Sequence, residues 1–112
     1  MAHSFGDVLL VTLTFSDVSN AKRRPVLVVV ETDEVDILVA PVTSHKPRRI
    51  DDVTLRDWRA ASLRLPSTVR MAKLATVAKT TVIRELGRLS ESDGKETRKA
   101  LNAFFRRVEQ AG

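Results

Sequence analysis

Lys22-Arg23-Arg24-Pro25 runs directly into Val26-Leu27-Val28-Val29-Val30, so three cations and a proline precede five apolar residues. Five apolar residues, most of them β-branched, are typical of a strand buried on both faces. Proline lacks the N–H that a β-ladder needs and has a fixed φ, so we expect Pro25 to open this strand and Arg24 to lie at its edge. A guanidinium in that position can bind a phosphate through two hydrogen bonds, although three basic residues in a loop are often only a solvated turn.

The whole chain has the composition of one ordinary globular domain. It has 112 residues, 43% hydrophobic and 29% charged, and we expect residues 1–112 to form a single domain. The formal net charge of +5 favours nucleic acid or an acidic protein segment as a partner. The sequence contains no cysteine, which excludes disulfides and thiolate metal sites. It also shows neither a leader pattern nor an apolar run long enough to span a bilayer, so we expect a cytoplasmic protein.

Hydrophobic patterning predicts a mainly β chain. Three β-rich runs predict strands at 8–14, 26–31 and 36–44, with the polar loop 15–23 and a hairpin turn at 32–34 between them. Pro41 indicates an edge strand or a bulge in the third of these. We expect further extended pieces at 50–55, 65–71 and 72–77, a helical turn at 56–61, and a turn with a short strand over 79–89.

A C-terminal helix is the clearest single element. Ser90 followed three residues later by Asp93 is an N-cap pattern related to the capping box. An apolar stripe at i, i+3, i+4 and i+7 is formed by Leu101, Phe104, Phe105 and Val108. Arg106 and Arg107 lie beside this stripe, and we expect them to face solvent.

The strand pairing predicts a polar cluster at one rim of the sheet. If the second and third strands form an antiparallel hairpin, Arg24 at the start of one lies near Thr43 and Ser44 at the end of the other. The basic loop His45-Lys46-Pro47-Arg48-Arg49 follows immediately. A phosphodiester would find a guanidinium and neutral hydrogen-bond donors at this rim.

Six short blocks follow one another along the chain: Gly6-Asp7-Val8, Arg24-Pro25-Val26-Leu27-Val28, Ala40-Pro41-Val42-Thr43-Ser44, Pro66-Ser67-x-Val69-Arg70, Lys73-Leu74-x-Thr76 and Leu86-Gly87-Arg88-Leu89-Ser90. In this order they resemble the MazF/PemK family of toxin endoribonucleases. The resemblance implies an SH3-like small β-barrel of the CcdB/PemK type with a short helix and a C-terminal α-helix, usually a homodimer. It also implies a ribonuclease that acts on single-stranded RNA, uses no metal or other cofactor, and is silenced by a cognate antitoxin. A basic surface suits an antitoxin with an acidic segment that folds on binding.

The resemblance also implies the catalytic residues. The family's arginine before the proline corresponds to Arg24, and its hydroxyl residue at the end of the third strand corresponds to Thr43. Attack of a ribose 2′-OH on phosphorus adds negative charge to the phosphoryl oxygens, which Arg24 and Thr43 would stabilise, with Ser44 able to share the task. The sequence names no clear general base. Histidine is suited to proton transfer near neutral pH, so His45 is a candidate, although a lone loop histidine is commonly only solvated.

Further residues are predicted to bind or support RNA: Lys22, Arg23, Ser44, His45, Lys46, Arg48, Arg49, Ser67 and Arg70. The alternative for the basic loop is a solvated surface. Trp58 can stack on a base, but in a chain with few aromatic residues it is better explained as a partly buried anchor.

One segment departs from the family pattern. The best-studied members carry a Gly-Ser-Glu-Gln-like sequence in the first loop, whereas this chain has Ser16-Asp17-Val18-Ser19-Asn20-Ala21-Lys22. The cleavage sequence, and whether the chain cleaves at all, therefore stay open at this point.

Two rival functions follow from the same scaffold. A gyrase poison of the CcdB type relies on an apolar C-terminal tail with a tryptophan, which the ending Glu109-Gln110-Ala111-Gly112 does not provide. A non-catalytic RNA- or protein-binding barrel is the other alternative.

Overall fold

The computed structural model describes residues 2–14 and 21–111 and confirms a mainly β chain with a C-terminal helix. The elements in chain order are β1 (Asp7–Thr14), β2 (Ala21–Glu31), β3 (Asp36–Thr43), β4 (Asp52–Thr54), β5 (Thr68–Arg70), β6 (Ala75–Ala78), β7 (Val82–Arg88) and α1 (Glu91–Ala111). Single 3₁₀ turns occupy Trp58–Ala61, Met71–Lys73 and Lys79–Thr81. The predicted helical turn at 56–61 and the turn and strand over 79–89 are confirmed, as are shorter strands within the pieces predicted at 50–55, 65–71 and 72–77.

The strands of the described part of the chain form one antiparallel sheet in the order β4-β5-β3-β2-β1-β7, with β6 also paired to β3. Across residues 2–14 and 21–111 no pairing joins β4 to β7, so the sheet is open between these two ends. The closed SH3-like barrel is therefore not confirmed by the strand pairing.

Pro25 does not open β2, as the sequence suggested, but lies inside it. The strand begins at Ala21, and Pro25 pairs with Leu10 of β1. The described pairing of β2 with β3 begins only at Val26, so β2 has a neighbouring strand on one side alone at Pro25. A residue without an N–H is tolerated at such an unpaired flank.

Pro41 likewise does not mark an edge strand. β3 is bordered by β2 on one side and by both β6 and β5 on the other. β6 pairs with Asp36 to Val39, and β5 pairs with Val42 and Thr43, so Pro41 lies at the change from one neighbour to the next. A proline fits there because no ladder partner on that side requires its N–H.

The buried side chains form two clusters. One contains Leu9, Val11, Val26, Val28, Ile37, Val39 and Val77. The other contains Val8, Leu27, Ala40, Val42, Leu55, Ala61, Val69 and Met71. Leu101 and Phe104 of α1 and the half-buried Trp58 pack against the second cluster, which confirms Trp58 as an anchor. The apolar stripe of α1 is only partly packed, because Phe105 and Val108 are 45% and 54% exposed.

The start of α1 is fixed by hydrogen bonds to the Ser90 hydroxyl and to the Asp93 carboxylate. The Ser90 Oγ accepts a hydrogen bond from the Asp93 N–H at 3.1 Å, so the predicted N-cap is confirmed. The buried Asp93 carboxylate accepts the N–H groups of Arg56 and Asp57 at 3.0 and 2.8 Å, so it holds the first turn of α1 to the segment before the 3₁₀ turn. None of the helices in the described ranges has the length and apolar character needed to cross a bilayer.

The far end of α1 is held by an ion pair. Arg107 donates from Nη1 and Nη2 to the two oxygens of Asp51 at 2.5 and 3.0 Å. Arg107 is exposed, as predicted, and it also pairs with Asp51, which is only 6% exposed. The pairing connects α1 to the end of the basic loop that follows β3.

Candidate active site

A pocket of about 480 Å³ opens where β3 separates from β2. The two strands pair as far as Val26 and Pro41, after which β3 turns to pair with β5. Continuing the same register, Pro25 would face Val42 and Arg24 would face Thr43, and all four residues line the pocket. The structure thus brings Arg24 and Thr43 together as the hairpin argument predicted.

The hydroxyl groups of the pocket differ in whether their protons are available to donate to a ligand. Thr43 is half-buried, and its Oγ1 accepts a hydrogen bond from the His45 N–H at 3.2 Å, which leaves the hydroxyl proton able to donate. Ser44 is exposed. The Oγ of the buried Ser67 donates to the Leu65 carbonyl at 2.7 Å, so this hydroxyl stabilises its own loop rather than offering a proton to a ligand. His45 also lines the pocket.

Among the described residues, the charged side chains that line the pocket are all positive. Its lining includes four arginines, namely Arg23, Arg24, Arg64 and Arg84, and within residues 2–14 and 21–111 no Asp or Glu lines it. None of the four forms a salt bridge with a carboxylate that the structure describes. Unpaired guanidiniums around one concavity focus a positive potential that favours an anion.

Two of these arginines, Arg64 and Arg84, were not among the predicted site residues. Arg84 lies in β7 opposite Leu10, which in turn pairs with Pro25 of β2, so one row of residues across three strands leads from Arg84 to the residue beside Arg24. Val82, Arg84 and Leu86 occupy every second position, which would place them on one face of a strand. The sequence of this segment was ambiguous between strand and helix, so that face could not be assigned.

Several predicted residues lie away from the pocket. Lys22 is exposed on β2, and Lys46, Arg48 and Arg49 are exposed in the loop after β3. The N–H groups of Arg48 and Arg49 donate to Asp52 Oδ2 at 2.8 and 3.1 Å, which fixes the backbone of this loop. Arg70 lies in β5 opposite Asp52 and is only partly exposed. The divergent first loop falls mostly at 15–20, outside the described residues.

The apolar part of the pocket lining is formed by Leu10, Pro25, Val42, Leu63, Leu65 and Leu86. A lining that combines cationic and apolar side chains suits a ligand with a flat hydrophobic portion and negatively charged groups. Nucleotides have this combination, with bases that lie on apolar surfaces and phosphates that pair with arginine.

Together the open antiparallel sheet, the C-terminal helix and the arginine-lined pocket define a small β protein with a positively charged pocket. The chain matches the model of the PemK-like, MazF-like toxins of type II toxin–antitoxin systems over residues 4–105, and it belongs to that family.

Solved structures with the same fold are similar over most of their length. An endoribonuclease in complex with its cognate antitoxin from a mycobacterial species is 18% identical with a TM-score of 0.73, covering 91% of this chain and 93% of that one. The Mycobacterium tuberculosis toxin MazF-mt6 is 24% identical with a TM-score of 0.70, covering 89% and 96%. MazE–MazF from Deinococcus radiodurans is 19% identical with a TM-score of 0.71, covering 94% and 97%. A search of curated protein sequences found no match.

Proposed function

We propose that this chain is an endoribonuclease that cleaves single-stranded RNA through attack of a ribose 2′-OH on the adjacent phosphorus. The observation that supports this best is the meeting of Arg24 and Thr43 in a pocket lined by four arginines and, within the described ranges, by no carboxylate. The family to which the chain belongs consists of toxins of type II toxin–antitoxin systems, and the structural neighbours include proteins named as endoribonucleases.

In the proposed step the 2′ oxygen forms a bond to phosphorus while the bond from phosphorus to the 5′ oxygen breaks. The products are a 2′,3′-cyclic phosphate and a 5′-OH, so one proton leaves the 2′-OH and one reaches the leaving oxygen. Negative charge builds on the phosphoryl oxygens in between. Arg24 binds these oxygens through its guanidinium, and the Thr43 hydroxyl donates to one of them, which stabilises the transition state more than the ground state.

Proton transfer and support are assigned to neighbouring residues. His45 lines the same pocket and is the side chain there best suited to exchange a proton near neutral pH. Ser44 and Arg23 line the pocket beside the catalytic pair and assist in binding the phosphate. Ser67 keeps the 65–67 segment in place through its hydrogen bond to Leu65. No step of this scheme calls for a metal ion.

The proposed partners are RNA, a cognate antitoxin and a second copy of the chain. Three of the structural neighbours are complexes, one with a cognate antitoxin and two named MazE–MazF. The unpaired arginines of the pocket suit an acidic segment of such an antitoxin. We further propose a homodimer, a cytoplasmic location and an SH3-like curvature of the sheet.

The test is incubation of the purified protein with a long RNA in the presence of EDTA, followed by mapping of the fragment ends. Cleavage with 5′-OH ends supports the proposal. Arg24→Ala should lower the cleavage rate by about 10³-fold or more, and Thr43→Ala by roughly 10²-fold. Arg106→Ala, which changes an exposed arginine of α1, is the matched control and should cut normally.

Binding of RNA without cleavage by the unmodified protein would favour the non-catalytic barrel instead. Normal cleavage by Arg24→Ala would show that the site is elsewhere. The folded state of each variant is checked by circular dichroism and thermal unfolding, because both residues are at the surface and their removal should leave the sheet intact.

A further inference from the structure

Arg64 and Arg84 have no part in the proposed bond-breaking step, although both line the pocket. Arg84 is on β7, and β1 lies between β7 and the strand that carries Arg24. Two strand spacings amount to roughly 10 Å. The backbones that carry Arg24 and Arg84 are thus far enough apart to serve different phosphates of one nucleic acid strand.

Arg64 is presented by a segment whose backbone is fixed at several points. Ser62 has a φ of 58°, in the left-handed region that residues other than glycine adopt at a cost. Its N–H donates to the Arg59 carbonyl at 3.0 Å, and the Leu63 N–H donates to the Trp58 carbonyl at 3.3 Å. Residues held in this region are concentrated at functional sites. The fixed loop therefore holds Arg64 at the rim of the pocket.

The charges of these two arginines are unpaired, in contrast to the arginines that stabilise the fold. Arg88 and Arg107 each form an ion pair, with Asp7 and Asp51 respectively. Arg64 and Arg84 have no carboxylate partner among residues 2–14 and 21–111, and both are exposed. Leu10, which pairs with Arg84, and Leu86 form part of the apolar lining. The pocket volume of about 480 Å³ falls within the range of small-ligand sites.

We infer that Arg64 and Arg84 bind phosphates of the RNA strand that flank the one at Arg24, with one nucleotide lying over Leu10 and Leu86 between them. The ligand identity rests on the proposed function, whereas the binding role does not depend on cleavage. This places the strand across β1 and β7. It does not place it along the exposed loop that carries Arg48 and Arg49.

The test measures binding rather than activity. A fluorescent 2′-O-methyl RNA oligonucleotide has no free 2′-OH and cannot be cut, and its affinity is measured by anisotropy at 50 and 200 mM NaCl. Each lost phosphate contact should weaken binding by about 8-fold at 50 mM and about 3-fold at 200 mM, and should reduce the salt slope by about 0.7. These changes are expected for Arg64→Gln and Arg84→Gln. Arg106→Gln changes an exposed arginine of α1 and is the matched control, which should bind within about twofold of the unmodified protein.

Several results would overturn the inference. One is unchanged affinity and salt slope for Arg64→Gln and Arg84→Gln, and another is an equal loss for the control Arg106→Gln. A third is that the two variants bind polyglutamate more weakly but bind RNA normally, which would assign the two arginines to the binding of an acidic protein segment. If unmodified protein binds the oligonucleotide through Arg64 and Arg84 yet does not cut natural RNA, the proposed function fails and the inference stands. If it cuts RNA and both variants bind normally, the inference alone fails.

Discussion

Replacing Arg107 with alanine should destabilise the fold by about 2 kcal/mol. Arg107 makes two hydrogen bonds to Asp51, a carboxylate that is only 6% exposed. Hydrogen bonds to charged groups contribute about 1.5–3 kcal/mol, and removal of one partner from a fully buried pair costs about 3–5 kcal/mol. The Arg107 side chain is 48% exposed, so water can partly replace it, and the lower part of that range applies.

The measurement is urea unfolding at pH 7 and 25 °C, supported by thermal unfolding. For a domain of this size, a loss of about 2 kcal/mol corresponds to a decrease in Tm of about 8–16 °C. Arg106→Ala removes the same type of side chain from the next position, which is exposed, and should change stability by less than about 0.5 kcal/mol.

A double-mutant cycle then isolates the pair. Asp51→Asn and Arg107→Ala should each lower the free energy of unfolding. The loss in the double variant should be smaller than the sum of the two single losses, by at least about 1 kcal/mol. Additive effects, or a loss of stability below about 0.5 kcal/mol for Arg107→Ala, would refute the reasoning. Either result would show that the pairing of Arg107 with Asp51 does not stabilise the fold.

Three other substitutions test the packing and the electrostatics. Gly87→Ala should cost about 1–3 kcal/mol, because a Cβ there would lie 2.9 Å from the Ala61 carbonyl carbon. A Cβ at Gly94 would have no neighbouring atom within 4 Å, so Gly94→Ala should stabilise α1 by about 1 kcal/mol. Urea unfolding measures both variants, and equal changes in stability would contradict the close contact between position 87 and Ala61. The His3 N–H that donates to Glu31 lowers the pKa of that carboxyl from its ordinary value of 4.5, with Lys79 acting in the same direction. Because a lowered pKa stabilises the folded state above the unfolded value, Glu31→Gln should reduce stability at pH 7, and the difference should disappear as the pH falls through the folded pKa. A difference that does not shrink as the pH is lowered below 4.5 would count against this explanation.

Local patterns predicted the elements of the fold better than the contacts between distant residues. The apolar runs, the hairpin turn and the Ser90 N-cap are properties of short segments, and the structure has them close to the predicted positions. The positions of Pro25 and Pro41 were misjudged because their tolerance depends on which strand borders each side. That information lies in the sheet order and not in the local sequence.

The candidate site shows the same division. The register of one hairpin was enough to bring Arg24 and Thr43 to a common pocket. Arg64 and Arg84 enter from a loop and a strand that are distant in sequence, and nothing local marks them. The pairing of Arg107 with Asp51 spans 56 residues and is equally invisible to periodicity.

The two prolines at the point where β2 and β3 part have a further consequence. Pro25 and Pro41 occupy adjacent positions in the register, and neither has an N–H to donate. Pro25 would be the next residue of β2 to pair with β3, opposite Val42, so the ladder between the two strands lacks a donor where it would have to lengthen. The missing N–H of Pro41 belongs to the side of β3 that β5 and β6 border. The opening is a property of the backbone and does not depend on the side chains that surround it. Replacing those side chains should accordingly alter what binds in the gap while leaving the gap itself in place.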